Sequence, residues 1–476
     1  MITFVALLYL GASIVLLLYG LNFLYLSYLS GKKRTPENLG LESFPSVTVQ
    51  LPILNERYVC KRLIDAVCSF DYPREKLSIQ VLDDSTDETR KICRELVEHY
   101  FQKDFDISYI HKNERVGYKA GALQNGLYKA KGEFIAIFDA DFVPPRDFLM
   151  QVLPYLKENV GLVQTRWGHL NEDYSYLTKA QGLSLDGHFL IEQRARSNSN
   201  FFINFNGTAG VWRKRCILDA GGWTDDTLVE DMDLSYRAQL KGWKFIFLSF
   251  VVCPAELPVQ INSFKRQQFR WAKGSIECAL KFSNLLFIEK LSRMKRLQGF
   301  LHLTRHLVHP LMLVQLLLLP ILMFYDYTLL PIISVLCLLL LGPPAYLLLL
   351  KRSFSNERFK KISHYPILAI LGIGSSLNNT KAVFEALLGI KSGFKRTPKF
   401  GILQRKDKWR GKKYALPFSP LAFFELLLGF YALLALGIAS YKGYLLLIPY
   451  LSMFTLGFLY VGALSFLHSQ RETPVM

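Results

Sequence analysis

Residues 134–142 read Phe-Ile-Ala-Ile-Phe-Asp-Ala-Asp-Phe. The apolar run predicts a buried strand over 134–138 that leads directly into two acids, Asp139 and Asp141. The same pattern occurs earlier, where a strand predicted over 78–82 leads into Asp83 and Asp84. Ligands of open α/β sheets bind beyond the carboxyl ends of the strands. Both acidic pairs are therefore expected at one binding edge of one sheet.

The block around these strands alternates short apolar runs with amphipathic stretches. Strands are predicted over 47–51, 78–82, 108–110 and 134–138, and helices over 57–70, 86–100 and 119–130. This β-α-β-α order is typical of a mainly parallel sheet covered by helices. An α/β domain is therefore predicted at residues 45–260.

Long apolar runs flank this domain on both sides. Hydrophobic residues make up 51% of the chain and charged residues 20%, and the two are segregated, which predicts a domain attached to membrane helices. The first run lacks a basic leader or a small-residue cleavage site, so we expect a retained anchor. Five spans are predicted, over about 2–26, 300–324, 328–350, 416–440 and 444–467.

The stretch 365–390 is apolar at first, but Asn378, Asn379, Lys381 and Glu385 interrupt its second part. It is predicted to be interfacial or re-entrant, because basic segments on both sides could not both be cytosolic if it crossed the membrane once. The predicted organisation is an anchor at 1–28, the domain at 45–260, interfacial helices at 261–298, two spans within 299–350, an interfacial element and loop at 364–413, and two spans within 414–468.

The formal net charge of +18 comes mainly from basic residues beside the apolar runs, at 32–34, 351–361 and 391–413. Basic loops stay cytosolic, so the charge indicates topology and contact with anionic lipid rather than nucleic-acid binding. The seven cysteines include no CxxC pair. They indicate neither a disulfide framework nor a zinc site, and fit a reducing compartment. An integral multi-pass membrane protein with a cytosolic central domain is predicted.

The Asp139-x-Asp141 pair favours metal chemistry. In an extended segment its two carboxylates point to one face, which suits Mg²⁺ or Mn²⁺ bridging the two phosphates of a nucleotide-sugar. Lys119, between Gly117 and Gly121, would place a further positive charge on the same diphosphate. The alternatives are a turn or helix-cap role for a single acid and a solvated lysine at a helix start.

Three acids within the five residues from Val229 to Asp233 open a predicted helix. Sugar transfer with inversion needs a base that takes the proton of the acceptor hydroxyl, and Asp231, with Glu230 beside it, is the candidate. The alternative is that these acids only complement the helix dipole.

The motif Gln267-Gln-Phe-Arg270-Trp271 lies on a basic, amphipathic stretch just before the second span. Arg270 is suited to bind phosphate, and Trp271 is suited to stack on a sugar ring at the acceptor. The alternative is an Arg and Trp anchor at the membrane interface.

Taken together, these motifs resemble processive glycosyltransferases of family 2, and most of all cellulose-synthase-like A and C proteins. The segments that fit the family pattern are 81–87, 117–123, 136–142, 205–213, 229–234 and 267–271. The resemblance implies a nucleotide-diphospho-sugar (GT-A type) fold inserted between transmembrane helices. It also implies a bacterial inner membrane, or a Golgi membrane in a eukaryote.

The resemblance further implies roles for single residues. Residues 394–399 resemble the family's gating loop, with Arg396 at a position that is usually apolar. The implied nucleotide-sugar ligands are Pro52, Glu56, Asp83, Asp84, Lys119, Asp139 and Asp141. The implied acceptor contacts are Gln267, Arg270 and Trp271, and the implied gating residues are Phe394, Thr397 and Lys399. Trp167 and His309 are further candidates for contact with the acceptor or product.

Spacing within the second span gives one more hypothesis. His302, Arg305, His306 and His309 would share one face of a continuous helix. Polar side chains in a membrane helix rarely face lipid, so these are predicted to line a path for the polymer. The alternative for the outer two is contact with lipid headgroups.

The leading hypothesis is a processive β-glycan synthase that uses GDP-mannose, GDP-glucose or UDP-glucose and a polysaccharide acceptor. Ala122, in the segment Lys-Ala-Gly-Ala, slightly favours a synthase of the mannan type. A second hypothesis is a non-processive transferase that glycosylates a lipid carrier. A third is an exporter or scaffold with a catalytically silent domain.

Overall fold

The computed structural model describes residues 2–32, 36–38, 40–112, 115–339 and 360–469. Its central feature is a seven-stranded sheet in the order β3-β2-β1-β4-β6-β5-β7. Only β6 runs antiparallel to its neighbours β4 and β5. The strands are β1 Val47–Ile53, β2 Leu77–Asp83, β3 Asp106–His111, β4 Phe134–Ile137, β5 Val160–His169, β6 Gly210–Arg213 and β7 Lys244–Ala255. The predicted mainly parallel α/β fold is confirmed.

Helices cover both faces of the sheet, so β1, β2 and β4 are buried almost throughout. One apolar core joins the sheet to α2 and α3, and a second joins its other face to α4, α8 and α9. The helices up to this point are α1 Ile2–Ser30, α2 Cys60–Cys68, α3 Thr89–Phe101, α4 Tyr118–Lys129, α5 Phe148–Val152, α6 Tyr176–Gly187, α7 Arg194–Asn198, α8 Lys214–Asp219 and α9 Glu230–Leu240.

The remaining helices belong mostly to the apolar part of the chain. They are α10 Ile261–Ile288, α11 Arg293–Leu303, α12 Val308–Phe324, α13 Leu330–Leu339, α14 Tyr365–Gly374, α15 Ser376–Leu387, α16 Leu421–Tyr441 and α17 Ile448–Leu467. Within the described residues, four helical segments are long and apolar enough to cross a membrane: Ile2–Ser30, Arg305–Phe324, Leu421–Tyr441 and Leu445–Leu467. The predicted span 328–350 is described only as far as Leu339, and its remainder lies outside the described residues.

The stretch predicted to be interfacial forms two short helices that break at Ser375. The first, α14, has ten residues, fewer than the roughly 20 that cross a bilayer. It packs against α17, and a Cβ at Gly374 would lie 2.2 Å from the Gly457 carbonyl oxygen. The second, α15, packs along α10. This geometry suits an interfacial element, which stays a prediction.

The prediction that residues from His302 to His309 share one face of a continuous helix is wrong. Helix α11 ends at Leu303, a short 3-10 turn follows, and α12 begins at Val308. His302 is buried against the α/β domain, with its Nδ1 2.8 Å from the Tyr236 hydroxyl. The sequence spacing assumed an uninterrupted helix, and this break sends His302 toward the domain instead.

Candidate active site

A cleft opens at the carboxyl edge of the sheet, between the strand ends, α10 and the segment 391–399, here called the gating-like loop. Fifteen of the predicted site residues line it: Pro52, Glu56, Asp84, Lys119, Asp139, Asp141, Trp167, Glu230, Asp231, Gln267, Arg270, Trp271, Phe394, Thr397 and Lys399. These residues come from positions far apart in the chain, and the fold brings them together.

Two of the predicted residues do not line this cleft. Asp83 is fully buried behind it, where its carboxylate accepts hydrogen bonds from the Tyr109 hydroxyl at 2.7 Å and the Ser85 amide at 2.9 Å. Its neighbour Asp84 faces the cleft, because successive side chains of a strand point to opposite sides. His309 lies outside the lining, with its Nε2 3.0 Å from Asn379 Nδ2.

Lys119 is the central cation of the cleft. Its ammonium lies 2.6 Å from Asp139 Oδ1 and 3.7 Å from Glu230 Oε1, and it donates to the Gly207 carbonyl oxygen at 2.8 Å. Burial lowers the pKa of Lys119, but the two acids outweigh it and raise the pKa above its usual value. Lys119 therefore stays charged and joins the Asp-x-Asp motif to the start of α9.

Glycines make the close approach around Lys119 possible. A Cβ at Gly121 would lie 2.1 Å from the Val116 carbonyl oxygen, so no side chain fits there. Gly207 has a φ of +81°, and a Cβ there would lie 3.0 Å from Asp231 Oδ2 and 3.3 Å from Lys119 Nζ. The Gly207 backbone thus lies directly against both functional side chains.

Asp139 and Asp141 form a donor set of two carboxylates. Asp139 pairs with Lys119, and Asp141 Oδ2 lies 2.7 Å from Lys399 Nζ. Among the described residues there is no group of three or more potential metal ligands. Mg²⁺ in nucleotide sites commonly takes one or two carboxylates and completes its shell with phosphate oxygens and water. Two carboxylates therefore fit a cation that arrives with a diphosphate.

Asp231 lies at the start of α9, where its Oδ1 accepts the Met232 amide at 2.8 Å. Burial, and then the neighbouring charge of Glu230, raise the pKa of Asp231 to about 7, although Lys119 and Arg270 act against the shift. A carboxylate whose pKa lies near the working pH is well suited to accept a proton.

Helix α10 forms one wall of the cleft with Gln267, Arg270 and Trp271. The Arg270 guanidinium lies 5.0 Å from the centre of the Phe394 ring, which is a cation–π distance. The Phe394 ring in turn lies 6.1 Å from that of Tyr118 at the start of α4. The gating-like loop is thereby in contact with both α10 and the start of α4.

Two cations of this loop reach buried acids. Arg396 lies 3.0 Å from Glu56 and 4.3 Å over the ring of Tyr414, while Lys399 contacts Asp141 and donates to the Glu256 carbonyl oxygen. Burial raises the pKa of Glu56 to about 8, although Arg396 acts against it. Arg396, placed where the family pattern has an apolar residue, therefore compensates a buried acid of the cleft.

The cleft also contains residues that were not predicted: Arg115, His169, Asn206, Glu256 and Arg396. Glu256 directly follows β7, as Asp84 and Asp139 follow their strands, so the same rule would have found it. His169 ends β5 in the same way. Arg115 precedes the Lys119 motif by only four positions, which was a usable signal.

Comparison with known proteins gives a family match over the α/β domain and the first half of α10. Residues 45–274 match the family model described as "Glycosyltransferase like family 2". A glucomannan 4-beta-mannosyltransferase 2 of Arabidopsis thaliana is 48% identical over 244 residues, which cover 50% of this chain and 46% of the relative. The glucomannan 4-beta-mannosyltransferase 1 of Cyamopsis tetragonoloba is 44% identical over 266 residues, or 54% and 50% of the two chains.

The chain thus spans about half the length of the curated relatives it matches. A solved mannosyltransferase from Pyrobaculum calidifontis, in complex with GDP-Man and Mn2+, superposes with a TM-score of 0.53 over 82% of this chain and 99% of its own at 19% identity. At that identity the likeness is one of fold. The family resemblance predicted from the motifs is confirmed over the matched residues.

Proposed function

We propose that this chain is a membrane-bound inverting hexosyltransferase, because residues 45–274 match the glycosyltransferase like family 2 model. It would transfer mannose or glucose from a nucleotide-sugar to the end of a β-linked polysaccharide. The observation that carries the proposal is the convergence of Lys119, the Asp139-x-Asp141 pair and Asp231 in one cleft that is walled by the Gln267–Trp271 motif.

The donor would bind with its diphosphate at Asp139, Asp141 and Lys119. Bound there, Mg²⁺ or Mn²⁺ would act as a Lewis acid that neutralises the departing diphosphate. Lys119 provides a fixed positive charge on the same side of the cleft. GDP-mannose is the preferred donor, because the relatives are glucomannan mannosyltransferases. GDP-glucose and UDP-glucose are the alternatives.

The acceptor hydroxyl would lose its proton to the Asp231 carboxylate while its oxygen attacks C1 of the hexose. The new C–O bond forms on the face opposite the diphosphate as the C1–O bond to phosphate breaks, so the configuration inverts. Asp231 is suited to this role by its position beside Lys119 and by its pKa of about 7. Trp271 and Gln267 would hold the acceptor end.

We further infer that the product remains bound and moves into the helical bundle. Ser375, Thr380, His306 and His309 each have a buried polar atom without a hydrogen-bond partner among the described residues. Buried polar atoms are normally paired, so this group suits a guest rich in hydroxyls. The alternative is a non-processive transferase that acts on a lipid carrier, which needs no such path.

The catalytic domain would face the cytosol, where nucleotide-sugars are available, in a bacterial inner membrane or a Golgi membrane. The basic segment 391–413 supports this orientation and contact with anionic lipid. Nucleic acid is not expected as a partner.

The test is incubation of purified protein in lipid nanodiscs with each radiolabelled donor, followed by digestion with linkage-specific hydrolases. We expect long products from GDP-mannose that a β-1,4-mannanase degrades, and loss of incorporation with EDTA. A short product that partitions into organic solvent would favour the lipid-carrier alternative. Absence of turnover with every donor would favour the silent scaffold.

A further inference from the structure

Two side chains on one face of β5 line the cleft without a part in the reaction proposed above, although Trp167 was expected to contact the acceptor or product. Trp167 and His169 are two positions apart in this strand, so they point to the same side of the sheet. Both line the cleft, and the His169 side chain is only 4% exposed. Leu185, Ala255 and Pro258 also line the cleft, as does Glu256 of the same segment.

Neighbouring aromatic rings hold the indole of Trp167 in place, but its N–H donates no hydrogen bond within the described residues. The ring packs edge-on against Phe142 and at a tilt of 45° against Phe189, with 5.3 Å between ring centroids in both pairs. Its Nε1 is buried and has no hydrogen-bond partner in the part of the chain that the structure describes. A buried donor without an acceptor is unfavourable, so this N–H calls for an external acceptor.

The imidazole of His169 provides the acceptor that complements the Trp167 donor. Its Nε2 lies 3.5 Å from Asp186 Oδ1, and Lys361 Nζ lies 3.7 Å from the other carboxylate oxygen. Burial would raise the pKa of Asp186, but His169, Lys361 and Arg166 outweigh burial and lower the pKa. Asp186 is therefore an anion. Nε2 makes no hydrogen bond within the described residues, but it is the ring nitrogen that faces this anion, which favours the imidazole proton on Nε2.

This tautomer leaves His169 Nδ1 as a hydrogen-bond acceptor. Nδ1 is buried and, within the described ranges, has no partner. The wall thus offers one unused donor at Trp167 and one unused acceptor at His169, on the same face of one strand. Neighbouring hydroxyls of a hexopyranose each donate and accept, so a pair of them satisfies both groups. The apolar side chains around them suit the C–H face of the ring.

We propose that Trp167 and His169 form a hexopyranose-binding subsite, with Asp186 as the residue that positions His169. The inference rests on the proposed function, because it assigns a place to a sugar of that reaction. The hexose is either the one on the donor or the terminal unit of the acceptor, since both present the same hydroxyl chemistry. The subsite is separate in sequence from the acceptor motif at Gln267 to Trp271.

Binding measurements on the full chain in nanodiscs separate the two sources. The affinities for GDP-mannose, GDP and mannotetraose are measured with Mn²⁺ for the wild type, His169→Ala and Trp167→Phe. Trp167→Phe removes the N–H but keeps an aromatic ring. If the subsite binds the hexose of the donor, each variant lowers the affinity for GDP-mannose relative to that for GDP about tenfold. If the acceptor is bound, each lowers the affinity for mannotetraose by that factor and leaves the donor ratio unchanged.

Deoxy sugars make the test specific. In the wild type, removal of the hydroxyl that meets His169 should weaken binding about tenfold, and in His169→Ala the same removal should cost almost nothing. Asp186→Asn should lose part of this discrimination, and Asp186→Glu should regain it. His99→Ala, an exposed histidine of α3 outside the cleft lining, is the matched control and should change nothing.

Three results would overturn the subsite. One is an equal penalty for every deoxy sugar in the wild type and in His169→Ala. Another is a loss of GDP affinity as large as the loss for the sugar, which would indicate a structural role for His169. The third is unchanged affinity for both sugars in both variants. If the subsite discriminates hydroxyls but no hexose is transferred, the proposed function fails and the subsite stands.

Discussion

Buried charges are paired differently in the cleft and in the seam, which is the contact of α10 with α15 and α16. In this seam, Lys265 lies 2.6 Å from Glu425 of α16, and Lys273 lies 3.0 Å from Glu385 of α15. Each cation there has one acid. The cleft is lined instead by seven carboxylates and five cations: Glu56, Asp84, Asp139, Asp141, Glu230, Asp231 and Glu256, with Arg115, Lys119, Arg270, Arg396 and Lys399.

This difference separates a structural from a functional use of charge. In the seam the balanced pairs hold α10, and with it Arg270 and Trp271, against the bundle. In the cleft, burial raises the pKa values of Glu56 and Asp231 because compensation there is incomplete. Clefts with perturbed carboxyls are where ligands and catalysis are expected. The cleft is therefore suited to receive a cation and a diphosphate, whereas in the seam each cation already lies within 3.0 Å of one acid.

The largest effect is expected from Asp231→Asn. Removal of a general base should lower kcat about 10²- to 10⁴-fold. Stability should not suffer, because a pKa raised by burial means that the ionised form costs stability as pH rises through about 7. At pH 8 the variant should therefore melt no lower than the wild type. Turnover of radiolabelled donor and a thermal melt measure both.

The matched control for this variant is Asp225→Asn, which removes an exposed acid of the same segment outside the cleft lining. It should turn over donor at the wild-type rate. An Asp231→Asn enzyme that elongates normally would contradict the base assignment, and one that unfolds would contradict the electrostatic comparison.

In the seam, a substitution is expected to lower stability, in contrast to Asp231→Asn in the cleft. Lys265 is 3% exposed and Glu425 is fully buried, so Lys265→Met leaves an uncompensated charge between α10 and α16. Breaking a buried pair in this way costs about 3–5 kcal/mol of unfolding free energy. Unfolding by SDS in mixed micelles measures the loss.

The double variant Lys265→Met with Glu425→Leu removes both charges and should recover most of that stability. A double variant as unstable as the single one would show that packing, rather than an unpaired charge, causes the loss.

The pH dependence of turnover sharpens the assignment of Asp231 within the cleft. The base acts only when deprotonated, so kcat should fall about tenfold per pH unit as the pH drops below about 7. Asp231→Asn should show no such limb. A wild-type profile that stays flat down to pH 5 would exclude a base with a pKa near 7.

Sequence reasoning found those parts of the site that follow from local pattern. Asp139, Asp141 and Lys119 were predictable because buried strands and glycine turns leave a signature in a short window. The contact of Lys399 with Asp141 joins residues 258 positions apart, and no local pattern contains it. The break after Leu303 also escaped, because the polar spacing continues through it. Domain boundaries and residue roles remain predictions.

The smallest effect is expected at the other end of α16, where Lys442 lies 2.9 Å from Asp326. The same helix thus has a buried ion pair near its start and an exposed one after its end, with 67% of the Asp326 side chain exposed. Water and salt screen the exposed pair, so Asp326→Asn should leave the melting temperature unchanged within error. Since the two sites share no partner, its effect should add to that of Lys265→Met. A loss comparable to that of Lys265→Met would mean that the ion pairs of α16 matter regardless of burial.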